Sequence, residues 1–147
     1  MKIKGRLGGS KLDLGFLDAE LSGRLGGPVL GTDLNVTVGS STYGRIGGGQ
    51  LGFDVRGSVL PTRVRVRVGG GFTGMDLDLA INGKTATGRY GSKLFGKNVR
   101  LERKGSQVVG RIGGRLMGVE VSLFSDAPLE VVALTVAVLR MAGEMEE

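Results

Sequence analysis

The sequence predicts a closed, twelve-stranded antiparallel β-barrel wrapped around one hydrophobic C-terminal helix. Three observations predict it. A glycine-marked motif recurs six times, each copy carries two turn signals, and the C-terminal segment is apolar nearly all round. The whole chain, 1–147, reads as a single domain, with six hairpin repeats over 1–124 and the helix over 126–142.

The repeat is Gly-Arg-(Leu/Ile/Tyr)-Gly-(Gly/Ser), starting at Gly5, Gly23, Gly44, Gly88 and Gly110. A sixth copy, Val66-Arg67-Val68-Gly69-Gly70, has valine for the first glycine. The arginines are Arg6, Arg24, Arg45, Arg67, Arg89 and Arg111, spaced by 18, 21, 22, 22 and 22 residues. Nine residues after the arginine come Asp33, Asp54, Asp76, Asn98 and Glu120; the first copy departs, with Asp13 and Gly15. Turn signals separate the copies at 17–19, 39–41, 60–62, 82–84 and 104–106, and a second glycine-rich turn follows each Gly-Gly pair. The strands between them alternate, as in Arg63-Val64-Arg65-Val66-Arg67-Val68 and Asp76-Leu77-Asp78-Leu79.

The last element starts at Ser125-Asp126-Ala127-Pro128, where Ser125 or Asp126 can cap and Pro128 suits a first turn. From Leu129 to Met141 only Glu130, Thr135 and Arg140 interrupt an apolar run. A helix apolar on every side needs burial on every side. It is too short for a bilayer, which takes roughly 20 residues. A sheet curled around it meets that need. The alternative architecture is a glycine-rich β-solenoid with the helix as an end cap. An end cap should be amphipathic, and this helix is not.

Composition narrows function. The chain has no cysteine and no histidine, which excludes thiolate chemistry, Ser-His-Asp and Cys-His arrangements, and the commonest metal ligand. No catalytic constellation and no cofactor motif is found, so the reading is not an enzyme. Gly5 to Lys11 superficially evokes a phosphate loop, but its spacing and context are wrong. Asp76 and Asp78 share a strand face, as charged residues on a solvated face do. The N-terminus has no apolar core of signal-peptide length, which gives a cytoplasmic expectation.

Charge is more informative. The net charge is +6. From Lys84 to Arg115 there are nine basic residues against one acid, Glu102. In a two-residue hairpin, positions nine apart face each other, so the repeat arginines should pair with the acids and fix register. The uncompensated remainder is a candidate anion-binding face: Arg63, Arg65, Lys93, Lys97, Arg100, Arg103, Lys104 and Arg115. Its expected partner is an anionic membrane surface or another polyanion. Nucleic acid is disfavoured because Tyr90 and Phe95 are the only aromatics in the basic span. The competing reading is a structural or interaction protein without a ligand.

The six hairpins followed by Asp126-Ala127-Pro128-Leu129-Glu130-Val131-Val132-Ala133-Leu134-Thr135-Val136-Ala137-Val138-Leu139 resemble the Tubby C-terminal-like superfamily. That group includes Tubby, the phospholipid scramblases and the LURP-one-related proteins. The resemblance spans the whole chain and rests on organisation, without a catalytic signature. It implies a twelve-stranded barrel around a buried helix, phosphoinositide binding as in Tubby, or membrane association as in scramblases. No ligand residue of Tubby matches a position here, so none carries over.

Overall fold

The computed structural model describes residues 1–26, 31–47, 52–70, 73–92, 96–113 and 118–146. Among the described residues there are twelve strands and one helix. The strands are β1 (Lys2–Leu7), β2 (Ser10–Leu17), β3 (Glu20–Leu25), β4 (Thr32–Thr37), β5 (Thr42–Ile46) and β6 (Phe53–Leu60). They continue as β7 (Arg63–Gly69), β8 (Gly74–Asn82), β9 (Thr85–Gly91), β10 (Gly96–Lys104), β11 (Gln107–Ile112) and β12 (Val119–Ser125). The helix α1 runs Leu129–Glu146. Each strand pairs antiparallel with its sequence neighbours, and β1 pairs with β12 to close the barrel. Closure leaves no unpaired edge strand.

The two ends of the barrel differ. At one end the connections are two-residue turns, except between β4 and β5, which are joined through 38–41. Asp18-Ala19 joins β2 to β3 with both residues at positive φ (51° and 69°), the twist that suits a two-residue hairpin. Gly83 and Gly105 supply the same conformation in later hairpins. At the other end, the mouth, only β1 and β2 are joined by two residues, Gly8 and Gly9. The remaining mouth connections are longer: pairing stops at Leu25–Thr32, Ile46–Phe53, Gly69–Gly74, Gly91–Gly96 and Ile112–Val119. The two-residue hairpin assumed for the Arg–Asp offset is therefore corrected, yet the nine-residue register survives. The in–out alternation sets it, because a one-residue slip would expose every core residue.

The motif glycines face inward, where neighbouring strands approach closely. A Cβ on Gly88 would lie 2.8 Å from Leu79 Cα and closer still to the Asp78 carbonyl. The same obstruction meets Gly5, Gly23, Gly44 and Gly110. The fourth repeat has Val66 at this place, and the glycine has moved across the pair: Gly57 on β6 stands opposite Val66. A Cβ at Gly57 would lie 2.7 Å from Val66 Cα. One partner of each such pair must lack a side chain, and the fold accepts either.

α1 fills the interior. Val131, Val132, Ala133, Leu134, Val136, Ala137, Val138, Leu139, Met141 and Ala142 are all at most 3 % exposed. Neighbours on successive sides include Val55, Val64, Leu77, Ala86 and Leu101, all in the same core. Thr135 is also fully buried, and its hydroxyl donates to the Val131 carbonyl at 2.8 Å. The helix starts later and ends later than the 126–142 expected from sequence. Pro128 has no N–H and precedes the first turn, where its carbonyl accepts from Val131 and Val132. Residues 126–128 serve as the link from β12.

That link is tied down. The Ser125 hydroxyl donates to the Lys2 carbonyl at 2.6 Å and accepts from the Ala127 amide at 3.0 Å. The Arg103 guanidinium donates to the Ser125 carbonyl at 2.8 Å and to the Ala127 carbonyl.

Two outcomes test the packing. Val136→Asp should abolish cooperative unfolding, because an unpaired buried charge costs several kcal/mol; circular dichroism and thermal melts check it. Gly88→Ala should cost about 3 kcal/mol or more by overpacking against backbone that has no room to give, read from urea denaturation.

Candidate functional site

The repeat arginines meet the acids as the offset predicts. Arg24 reaches Asp33 at 2.6 Å, Arg45 reaches Asp54 at 2.9 Å, Arg67 reaches Asp76 at 3.0 Å and Arg111 reaches Glu120 at 3.7 Å. Arg89 faces Asn98. A second role was not legible in the offset. Arg6 donates to the Gly9 carbonyl and Arg67 to the Gly70 carbonyl, both at 3.2 Å, and Arg111 to the Gly118 carbonyl at 3.4 Å. The Arg89 guanidinium packs over Gly96. The arginines thus hold the mouth connections as well as the register.

The eight residues of the candidate basic face divide. Lys93 and Arg115 lie outside the described residues. Lys97 and Arg103 share the inward parity of Val99 and Leu101 on β10, so they leave the outer face. Lys97 pairs with Glu144 near the end of α1. Arg103 holds the β12–α1 link. Both are anchors for the two ends of the helix. Lys104 is outward, opposite Gln107 at the tight-turn end. Arg63, Arg65 and Arg100 remain together on the outside.

Those three belong to a broader surface. Across β7 to β11 one row in register reads Arg63, Ala80, Thr87, Arg100, Arg111. The adjacent row reads Arg65, Asp78, Arg89, Asn98. These two rows hold five arginines and one carboxylate, Asp78, with the small side chains of Ala80 and Thr87 leaving a low floor between them; Glu102 shares the outer face of β10 with Arg100, and Glu120 pairs with Arg111. Arg63 binds Asp78 through two hydrogen bonds of 2.9 Å, and Arg65 approaches the same carboxylate at 3.6 Å. The Arg63 hydrogen bond holds the Asp78 carboxyl below its ordinary value of 3.8, against a smaller opposing effect of burial. Arg100 has Arg111 on one side and Thr87 on the other, a like-charge neighbour that folding alone does not favour.

The mouth holds a second site that charge counting missed. A cavity of about 640 Å³ opens there, lined by Phe53, Met75, Tyr90, Ser92, Glu144 and Met145 among others. Tyr90 points inward and is 2 % exposed. Its phenol lies beside Glu144 and Arg140 without forming a well-shaped hydrogen bond. Burial first, and then the Glu144 carboxylate, raise its pKa well above the ordinary 10, with Arg140 opposing. The signal available in the sequence was parity: Tyr90 follows Arg89 at a place where the other repeats carry Leu7, Leu25, Ile46, Val68 and Ile112.

Among the described residues no cluster of three or more His, Cys, Asp and Glu is arranged to hold a metal ion. Among them, too, no helix is long and apolar enough to cross a membrane. Comparison with known proteins finds no match: no family model, no curated protein and no solved structure aligns significantly with the chain.

The Asp78 pairing sets a pH dependence. A carboxyl whose folded pKa is depressed stabilises the fold above its unfolded value and loses that contribution as pH falls through the folded one. Asp78→Asn should therefore melt slightly lower than the wild type at pH 7. The two melting temperatures should converge below pH 3.8, the ordinary value of this carboxyl.

Proposed function

We propose that this protein is a non-enzymatic binding module that docks on anionic phospholipid through the outer face of β7–β11. The observation that carries this reading is the pair of rows in which five arginines stand with one carboxylate, Asp78, and in which Arg100 is set beside Arg111. Like charges in register cost stability. A surface that keeps them gains when an anion lies across them. Each basic residue near a charged membrane contributes about 1 kcal/mol of attraction.

Two further features favour lipid over nucleic acid. The face is wide and shallow, with Ala80 and Thr87 at its centre and Arg63 roughly 14 Å from Arg100 at the usual strand spacing. It also lacks a stacking platform among the described residues, because Tyr90 is turned into the barrel. The resemblance to Tubby-type barrels adds to the lipid reading, since that group includes phospholipid-associated proteins.

Vesicle flotation tests it. The protein should float with vesicles containing acidic phospholipid, fail to float with neutral ones, and release as salt rises. Arg89→Glu with Arg100→Glu should weaken flotation. Asp78→Asn, which frees Arg63 and Arg65, should strengthen it. Absence of binding at low salt would overturn the reading, and preference for an oligonucleotide competitor would replace the partner.

A further inference from the structure

The geometry points to a second binding site, in the barrel mouth, for a neutral apolar molecule carrying a hydroxyl group. It is separate from the arginine face and does not rest on it. The cavity of about 640 Å³ falls in the size range of small-molecule sites, and barrel mouths are a common place for them. Its walls are the Phe53 ring and the thioethers of Met75 and Met145, which pack at the edge of the core. Methionine walls adapt to differently shaped apolar bodies.

The polar end of the site sets the chemistry of the ligand. Glu144 has a side chain only 7 % exposed, and one of its oxygens pairs with Lys97. Its other oxygen, Oε2, and the Tyr90 hydroxyl are both buried without a well-shaped hydrogen bond among the described residues. A ligand hydroxyl satisfies both, accepting from the phenol and donating to Oε2. A carboxylate head would meet the Glu144 charge, and an ammonium head would meet Lys97 and Arg140; each buries an extra charge beside a like one. The Lys97 side chain, 45 % exposed, borders the cavity beside its ion pair with Glu144.

Among the repeats, the fifth supplies the phenol and the ammonium at the polar end of this site. At the position of Lys97 the second, third, fourth and sixth repeats carry Thr32, Phe53, Met75 and Val119. Its tyrosine and its lysine thus depart from the pattern together, and they meet at one cavity.

Three probes of equal length decide the matter: octan-1-ol, octanoate and octylamine, each titrated into the ¹⁵N-labelled full chain and followed by amide shifts and calorimetry. Octan-1-ol should saturate, shifting Gly74, Gly91, Ser92 and Glu144, with octanoate and octylamine at least about tenfold weaker. Tyr90→Phe removes a hydroxyl that makes no well-shaped hydrogen bond among the described residues, so its melting temperature without ligand should stay close to the wild type while its octanol affinity falls several-fold. Ser92→Trp, at the exposed rim, should block octanol without touching the core, and it serves if Tyr90→Phe does not fold. Equal affinity for all three probes, no saturable octanol binding, or octanol affinity unchanged in Ser92→Trp would each overturn the site.

Discussion

Everything in this fold follows from one requirement: the segment Val131–Ala142 must be surrounded on all sides by apolar atoms. A helix buried on one face needs only a layer against it. One buried all round needs a tube about as wide as a helix plus a lining of side chains, and α1 is at most 3 % exposed over nearly all of that segment. Twelve strands give such a tube, and closing it through β1 and β12 removes the exposed edges at the same time. The anchors Arg103 and Lys97 hold the two ends of the helix at its depth.

The glycines answer a second consequence of that tube. Strands coiled around a helix approach one another most closely where their inward faces crowd. There, one member of a facing pair loses its side chain. The exchange of Gly57 for the missing glycine at Val66 shows that the constraint belongs to the pair and not to the repeat position. A sequence repeat and a structural repeat are therefore different things. The motif loses its glycine in the fourth copy, while the barrel keeps one at the crowded level.

Much of this was written in the sequence in a form that simple counting reads. The nine-residue offset between Arg24 and Asp33 became an ion pair because both lie outward on adjacent strands. The enclosed helix was legible because an apolar run without a polar stripe admits few other fates. The errors share one cause. Counting charge along Lys84 to Arg115 ignored which way each side chain points. The parity of β10 sends Lys97 and Arg103 inward with Val99 and Leu101, where each finds a helix-end partner distant in sequence. The mouth cavity was hidden for a related reason. Glu144 and Met145 lie past the expected helix end, and nothing local to them signals that Lys97 and Tyr90 stand opposite.

The fifth repeat joins the two surfaces. Along β9, Arg89 turns out to the arginine face and Tyr90 turns in to the mouth; along β10, Asn98 turns out and Lys97 turns in. Outside, the acid that would neutralise the repeat arginine is replaced by an amide. Inside, residues that are mostly apolar in the other repeats are replaced by a phenol and an ammonium. Stability does not ask for either change, because the neighbouring repeats fold with the ordinary pattern at both places. A repeat protein whose copies are held alike by register and crowding has one economical way to acquire a site, which is to let a single copy depart. Two departures in one copy, on opposite faces of the same pair of strands, make β9 and β10 part of both candidate sites. Any shift of that pair would be felt at the arginine face and at the cavity together.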